Sequence, residues 1–285
     1  MITKHPDLPD YFWVLDPLPS FRAYADAYGD QIAEHYENNG VIVMTVPITF
    51  DIGFFQDLTF PPAWKKIGKR GLEQPVLIFK DGRVQTDPSH PLVAASAGNE
   101  LVGVYIQNQI SSFNWQLRLG VQVLFPRYRF RGDEITWRLT PTGPEGLHFD
   151  VGDADLEERK VRNRHLVKVF INIDSEPRHW RMSRTLPDAI AALSDALPSS
   201  VDLYAVNRSL NASTLLQTMP AHEVRYPAMT AVICNGITVS HEIVSGRRVV
   251  GGEFACPTDN MLDPTKHPAH MLPAWIEKAR AQAGA

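Results

Sequence analysis

The ten residues HLVKVFINID at positions 165–174 constrain the fold of this 285-residue chain more than any other segment. Their β-branched side chains and their alternation of apolar with polar positions predict a β-strand. Three further strand patterns follow at 230–234, 237–242 and 247–255, and Ser245-Gly246 separates the last two. We therefore expect a C-terminal half that is rich in β-sheet.

Helical patterns precede most of these strands. Apolar residues recur three or four positions apart from Phe21 to Tyr36, which predicts a helix over 19–38. The same criterion predicts a long helix over 100–124 and a short one over 186–197. Because helices come first and a run of strands comes later, the sequence predicts a mainly β fold with flanking helices, of the α+β class.

Shorter strand patterns lie at 41–46, 76–79 and 135–139. Asp81-Gly82 follows the second of these, and this dipeptide favours the tight turn of a β-hairpin. The segment 47–74 is punctuated by proline and aromatic residues, so we expect an irregular, packed stretch there. Its aromatic side chains suit either a protein core or a membrane surface.

Composition excludes several classes of protein. With 44% apolar and 21% charged residues, the chain has an ordinary globular composition. No apolar run approaches the roughly 18–20 residues that a membrane-spanning helix needs. The net charge of −4 argues against nonspecific binding to nucleic acid. Cys234 and Cys256 are too few for a disulfide framework, and the N-terminus lacks a signal-peptide pattern, so we expect a cytoplasmic protein.

Two matches to the N-glycosylation pattern are interpreted in the same way. Asn207-Arg208-Ser209 and Asn211-Ala212-Ser213 have the required spacing. Without a secretion signal, we interpret both as ordinary loop sequence.

Positive charge is concentrated in the middle of the chain. Residues 118–184 contain eleven Arg and two Lys against ten Asp or Glu, a local charge of 13 − 10 = +3. Arginine is suited to two-pronged recognition of carboxylate and phosphate groups. A solvated surface with ordinary salt bridges would explain any single arginine, but the clustering favours a small anionic substrate.

His148-Phe149-Asp150 carries the clearest candidate chemistry. On an extended chain, residues two apart point to the same face, so both side chains can bind one metal ion. A second histidine would complete the triad of two histidines and one carboxylate that holds Fe(II) with open positions. His5-Pro6-Asp7 has the same spacing, but no strand pattern surrounds it.

His241 is the favoured third ligand because it lies on a predicted strand that Arg247 and Arg248 follow. If the triad holds Fe(II) for oxygenase chemistry with 2-oxoglutarate as co-substrate, a cation near the metal must bind the far carboxylate of 2-oxoglutarate. A guanidinium group is well suited to bind a carboxylate. Other histidines are less favoured as ligands: His222, His165 and His179.

These residues resemble the 2-oxoglutarate/Fe(II) dioxygenases of the double-stranded β-helix fold, over about residues 40–256. Within that superfamily, TWRLTPTGPEGLHFDVGD and HLVKVFINIDSEPRHW look most like the Kdo 3-hydroxylases, which hydroxylate the Kdo sugar of Kdo-lipid A. The resemblance implies a cupin-like jelly-roll core. It also implies Fe(II) held by His148, Asp150 and His241, with 2-oxoglutarate and O₂ as co-substrates and Arg248 as the anchor of 2-oxoglutarate.

The interval from His241 to the arginines is shorter than is common in the superfamily, so Arg247, Arg162 and Arg164 remain alternative anchors. An anionic sugar substrate would also need arginines and an aromatic face. The candidates for substrate binding are Arg127, Arg138, Arg162, Arg164, Arg178 and Trp180.

We expect one catalytic domain over 1–285. It would comprise a helical lead-in (1–40), a jelly-roll core with helical buttresses (41–256) and a C-terminal extension (257–285). A lipid-linked substrate would bring the protein into peripheral contact with the cytoplasmic face of the inner membrane.

Three alternatives remain open. The same motifs permit a hydroxylase of a free amino acid or small natural product. A zinc hydrolase is a second alternative, since His and Asp also bind Zn²⁺, although the chain has no HExxH motif. The third is a jelly-roll protein that binds a metal or sugar without turnover.

Overall fold

The computed structural model describes residues 1–57, 77–80, 83–85, 100–139, 141, 143–151, 164–194, 197–198 and 202–283. Within these ranges, the strands are β1 (Ile2–Thr3), β2 (Phe12–Val14), β3 (Val41–Thr45), β4 (Leu77–Lys80), β5 (Arg83–Gln85), β6 (Gly132–Arg138), β7 (Arg164–Asn172), β8 (Arg178–Thr185), β9 (His222–Tyr226), β10 (Thr230–Ile233), β11 (Val239–Ser245) and β12 (Val249–Pro257).

These strands form two sheets. One has the order β2-β3-β10-β7-β12-β6-β4-β5, and the other has the order β1-β9-β8-β11. Neighbouring strands are antiparallel except β2 and β3. The predicted mainly β fold with flanking helices is confirmed, and the pair of facing sheets agrees with a jelly-roll core.

The helices are α1 (Phe21–Tyr28), α2 (Gln31–Glu37), α3 (Ile52–Asp57), α4 (Glu100–Leu124), α5 (Leu186–Ala192), α6 (Leu203–Ala212), α7 (Thr214–Gln217) and α8 (Pro268–Ala283). Short 3₁₀ turns lie at Thr258–Asn260 and Pro264–Lys266. None of the helices in the described part of the chain is long and apolar enough to cross a bilayer.

Both faces of the larger sheet are buried. On β3, Ile42 and Met44 pack in a core with residues of α1, α2 and α4. Val41 and Val43 pack instead against Trp180 and other side chains of the smaller sheet. Alternate residues of a strand point to opposite faces, so a strand covered on both sides reads as a continuous apolar run.

A third core carries the candidate motif. Leu147 and Phe149 pack among apolar side chains of α5, α6 and α8. These helices therefore hold the segment around His148 and Asp150 against the smaller sheet.

Several predicted boundaries differ from the structure. The helix predicted over 19–38 is two helices, because α1 ends where the Gly29 N–H donates to the Ala25 carbonyl. The helix predicted over 186–197 ends at Ala192. The predicted β-hairpin of 76–79 and 84 is confirmed as β4 and β5, whereas its turn at 81–82 lies outside the described residues.

Two segments of the chain differ from what the sequence patterns suggest. The strands on either side of Ser245-Gly246 lie in different sheets, because β11 pairs with β8 whereas β12 pairs with β6 and β7. The chain thus passes from one sheet to the other at Gly246. The glycosylation-like sequences lie on and just after α6 rather than in a loop, and Asn207 is fully buried there.

Of the other segments, 47–74 contains α3, and its remaining part after Asp57 lies outside the described residues. The lead-in over 1–40 contributes β1 and β2 to the two sheets as well as its helices.

His165, on β7, predicts a pH dependence of stability. Its ring contacts the rings of Tyr36 and Tyr128, and burial lowers its pKa to about 3. A histidine that is neutral in the fold stabilises it above the unfolded pKa of about 6.5, and this contribution is lost as pH falls.

We expect His165 to lower the free energy of unfolding by about 2 kcal/mol when the pH falls from 7 to 5. Urea unfolding of the wild type and of His165→Phe at both pH values tests this. The free energy of unfolding of His165→Phe should change less between the two pH values than that of the wild type. An equal change in both proteins would contradict this prediction.

Candidate metal centre

Main-chain hydrogen bonds bring the predicted ligands together. The His148 N–H donates to the His241 carbonyl at 3.0 Å, and the His241 N–H donates to the His148 carbonyl at 2.9 Å. Two residues on, the Asp150 N–H donates to the Gly236 carbonyl at 2.7 Å. As a result, one potential ligand atom from each of His148, Asp150 and His241 lies within 4.8 Å of the others.

The two imidazoles are oriented by backbone carbonyls. The Nδ1 atom of His148 lies 2.9 Å from the Gly146 oxygen, and that of His241 lies 3.0 Å from the Val239 oxygen. A carbonyl only accepts, so each Nδ1 carries the proton and each Nε2 keeps its lone pair. Burial lowers the pKa of His241 to about 4, which keeps this ring neutral and able to bind a metal near pH 7.

Asp150 is held by a buried lysine. Lys168 Nζ lies 2.7 Å from Asp150 Oδ2 and 3.0 Å from Glu253 Oε1. Burial alone would raise the pKa of Asp150, but the positive charge of Lys168 and its hydrogen bond to the carboxylate outweigh this effect and leave the pKa well below its usual range. Asp150 is therefore a carboxylate, and its Oδ1 atom faces His241 Nε2 at 4.0 Å.

Two asparagines on α6 support the segment, and sequence reasoning missed both. Asn207 Nδ2 donates to the carbonyls of Asp150 and Ile237 at 3.1 and 2.9 Å. Asn211 binds both main-chain groups of Phe149 at 2.8 Å. Because residues four apart share one helix face, both reach the same strand-like segment. Their spacing on an amphipathic helix pattern was the available signal.

The donor set fits a first-row divalent metal ion. Two imidazole nitrogens and one carboxylate oxygen converge, which are the ligands of the triad that leaves open positions on Fe(II). In the described part of the chain, no other group of three or more His, Cys, Asp or Glu side chains has this geometry.

The less favoured histidines have structural partners. His222 Nδ1 accepts from the His5 N–H, and its Nε2 lies 3.2 Å from the Pro9 carbonyl, so this ring binds the N-terminal segment. His179 pairs with Glu223 on β9. His222 is the first residue of β9.

Trp180 lies beside the candidate ligands rather than on an exposed surface. Its ring stacks on that of His241 at 5.6 Å between centroids, with 24° between their planes. Phe170 and Tyr226 contact Trp180 edge-on. Only 1% of Trp180 is exposed, so the structure does not offer its face to a sugar.

The predicted anchor arginines both approach Asp174. Arg247 donates to both carboxylate oxygens of Asp174 at 2.8 Å, and about half of its side chain is exposed. Arg248 is buried, and its Nη1 lies 3.7 Å from Asp174 Oδ1. The fork of Arg247 is therefore already occupied by a carboxylate of the protein.

The predicted substrate arginines are dispersed. Arg127 is mostly exposed and pairs with Asp30 at 2.9 Å. Arg164 is exposed at the start of β7 and interacts electrostatically with Tyr204, as Asp150 does. Arg138 and Arg178 come close enough to interact electrostatically. Arg162 lies outside the described residues.

Comparison with known proteins agrees with this architecture. No protein-family model and no curated protein sequence matches the chain. The fold matches the crystal structure of the Kdo hydroxylase KdoO, a non-heme Fe(II) alphaketoglutarate-dependent dioxygenase, in complex with cobalt(II), with a TM-score of 0.69. That match covers 94% of this chain and 96% of the other at 14% identity.

A second KdoO structure, with succinate and Fe(III), matches with a TM-score of 0.68 at 15% identity. A third, with alphaketoglutarate and Fe(III), matches with a TM-score of 0.65 at 14% identity. These two matches cover 94% and 93% of this chain and 96% of each other chain. The chain therefore has the fold of the Kdo hydroxylase KdoO, as its sequence resemblance predicted.

Proposed function

We propose that the protein is an Fe(II)/2-oxoglutarate-dependent dioxygenase that hydroxylates an unactivated carbon of an anionic substrate. The observation that carries this proposal is the convergence of His148, Asp150 and His241 inside a fold shared with the Kdo hydroxylase KdoO. Nε2 of each histidine and Oδ1 of Asp150 would hold the metal ion.

The bound iron, with 2-oxoglutarate and O₂, would supply the oxidant that hydroxylates the substrate and leave succinate and CO₂ as the other products. Residues of the chain orient the candidate metal ligands and shield them from water. The carbonyls of Gly146 and Val239 fix the two imidazoles, and Lys168 directs the second oxygen of Asp150 away from the ligand position. Trp180 covers the His241 ring and excludes water from that side.

For the substrate, we propose the Kdo sugar of Kdo-lipid A. Kdo carries a carboxylate and lipid A carries phosphates, which suits the excess positive charge of residues 118–184. Exposed Arg164 is a candidate contact, because it lies four residues before Lys168 on β7 and alternate residues of a strand point to the same face. This substrate would place the protein in the cytoplasm, in peripheral contact with the inner membrane.

An anaerobic optical titration with Fe(II) and 2-oxoglutarate tests the first step. We expect the weak visible charge-transfer band of the metal chelate in the wild type and its loss in His148→Ala, which lacks one ligand. A wild type that shows no band and binds Zn²⁺ tightly instead would overturn the dioxygenase assignment.

Succinate release then tests the substrate. In air, we expect the wild type to release succinate only when Kdo-lipid A is present. Release that instead depends on a free amino acid would keep the chemistry and overturn the sugar substrate.

A further inference from the structure

The inner face of the larger sheet, which is turned towards the smaller sheet, is open over β6 and β12. Apolar side chains of β3, β7 and β10 pack against the smaller sheet, but within the described ranges no apolar side chain of β6 or β12 joins that core. The outer face of the same two strands is buried in the core that includes α4, through Ile135, Trp137, Val250 and Phe254. One face of β6 and β12 is therefore covered, and the other is accessible.

This inner face carries two carboxylates. Gly251 lies on it, because a Cβ atom there would be 3.7 Å from the ring of Phe170, which contacts Trp180 of the smaller sheet. Glu253 follows two residues later on β12, so its side chain points to the same face. Exposed Glu134 lies directly opposite Glu253 on β6. Because Gly251 has no side chain, it leaves an open floor beside these carboxylates.

Glu253 is linked to the candidate metal centre by one lysine. Lys168 Nζ lies 3.0 Å from Glu253 Oε1 and 2.7 Å from Asp150 Oδ2. Of the glutamates that the structure describes in ion pairs, Glu253 is the one that shares its cation with a candidate metal ligand. A molecule in contact with Glu253 therefore lies next to the candidate metal centre.

The two carboxylates favour a ligand that donates hydrogen bonds. A carboxylate has about four acceptor positions, and Lys168 Nζ occupies one of them on Glu253. The Glu253 side chain is 41% exposed, so water reaches it and hydroxyl groups of a ligand can replace that water. Hydrogen bonds from hydroxyl groups to a carboxylate are about twice as strong as those between neutral groups. A sugar ring supplies such hydroxyl groups.

The same charges restrict how an anionic sugar can lie on this face. Glu134 and Glu253 repel a carboxylate or phosphate group of the substrate, so these groups must point away from them. Exposed Arg164 is the first residue of β7 and lies on the same face as Lys168, four residues before it. The hydroxyl groups of the sugar would then face Glu253, and its anionic groups would face Arg164.

We propose that Glu253 is a specificity-determining residue whose carboxylate accepts hydrogen bonds from the ring hydroxyl groups of the sugar substrate. This rests on the proposed function and names the part of the substrate that the inner face recognises. Glu134 contributes by repelling the anionic groups. A free amino acid would instead present an ammonium group to Glu253, so the proposal also separates the two classes of substrate.

Calorimetric titration of the protein loaded with Fe(II) and 2-oxoglutarate, without O₂, tests the proposal. The ligand is the methyl glycoside of Kdo. Glu253→Gln keeps an acceptor for Lys168 but removes the negative charge. We expect it to bind the glycoside about 10-fold more weakly than the wild type, because hydrogen bonds to a charged group are stronger than neutral ones. Glu277→Gln, at an exposed position of α8, is the matched control and should bind as the wild type does.

Glycosides that lack one ring hydroxyl group identify the contact. We expect the ratio of wild-type to Glu253→Gln affinity to fall from about 10 to about 1 with the 4-deoxy or the 5-deoxy glycoside, whichever lacks the bound group. Equal affinity of both proteins for the intact glycoside would overturn the proposal. An undiminished difference with both deoxy glycosides would overturn it too.

Co(II) affinity separates substrate binding from support of the metal ligand. It should be the same in Glu253→Gln and the wild type, and a loss of Co(II) affinity as large as the loss for the glycoside would overturn the proposal by assigning Glu253 to the support of Asp150. A wild type that forms the chelate band but does not bind the glycoside is a different result. It contradicts the sugar substrate of the proposed function, and absence of the band contradicts the dioxygenase itself.

Discussion

Replacing Gly236 by alanine should abolish metal binding at the candidate centre while leaving the fold in place. The Gly236 carbonyl accepts from the Asp150 N–H at 2.7 Å, so the two backbones lie in contact. A Cβ atom on Gly236 would lie 2.2 Å from Asp150 Oδ2 and 2.9 Å from His241 Cε1. Two of the three candidate ligands would therefore have to move at once.

We expect Gly236→Ala to lower Fe(II) or Co(II) affinity by at least about 100-fold, the upper range for loss of ligand support around a metal. Equilibrium titration with Co(II) measures this. Gly251→Ala is the matched control, because a Cβ there meets only ring atoms of Phe170 at 3.7 and 3.8 Å. Similar Co(II) affinity in both variants would contradict the proposed ligands.

The candidate metal ligands could be proposed from the sequence because their signal is local. His148 and Asp150 are two residues apart, and His241 lies on a predicted strand, so a resemblance could join them. The structure adds the reason that they meet, which is the pair of hydrogen bonds between the backbones of His148 and His241. That contact joins residues 93 positions apart, since 241 − 148 = 93, and no periodicity encodes it.

Local sequence patterns do not predict the contact partners of the arginines. The sequence places Arg247 and Arg248 after the predicted strand of His241 but does not show which group each one contacts. In the structure the turn at Gly246 connects different sheets, and Asp174, two residues after β7, accepts hydrogen bonds from Arg247. The partner of an arginine depends on strand order, which the alternation of apolar residues along one strand does not determine.

Burial of polar side chains was equally invisible in the sequence. Lys168 was assigned only to a strand, yet it lies between Asp150 and Glu253. Asn207 and Asn211 matched a glycosylation pattern, yet both lie on α6 and their side chains donate hydrogen bonds to the backbone carbonyls of residues 149–150. Each of these residues follows the rule that a buried polar group is hydrogen-bonded, but only tertiary structure identifies the partners.

Lys168→Met should strongly destabilise the metal-free protein. Only 5% of the Lys168 side chain is exposed, and removing it leaves the Asp150 carboxylate without its ion-pair partner. Loss of one partner of a buried pair costs about 3–5 kcal/mol, and we expect the lower end of this range because the Asp150 side chain is 24% exposed. Urea unfolding of the metal-free wild type and variant at pH 7 measures the difference.

The pH dependence of this loss of stability, together with a second variant, tests whether the missing ion pair is its cause. Burial disfavours the charged forms, but the attraction within the pair lowers the pKa of Asp150 and raises that of Lys168. The lowered carboxylate pKa stabilises the fold above the ordinary value of 3.8, and this contribution is lost as pH falls further. The gap between wild type and Lys168→Met should therefore be large at pH 7 and shrink towards pH 4 and below.

Combining Lys168→Met with Asp150→Asn removes both charges. We expect the double variant to be more stable at pH 7 than Lys168→Met alone, because no uncompensated carboxylate remains near the core. Glu253 has a side chain that is 41% exposed, so water can solvate it in both variants. Equal stability of the single and double variants would show that Lys168 contributes packing rather than compensation of the Asp150 charge.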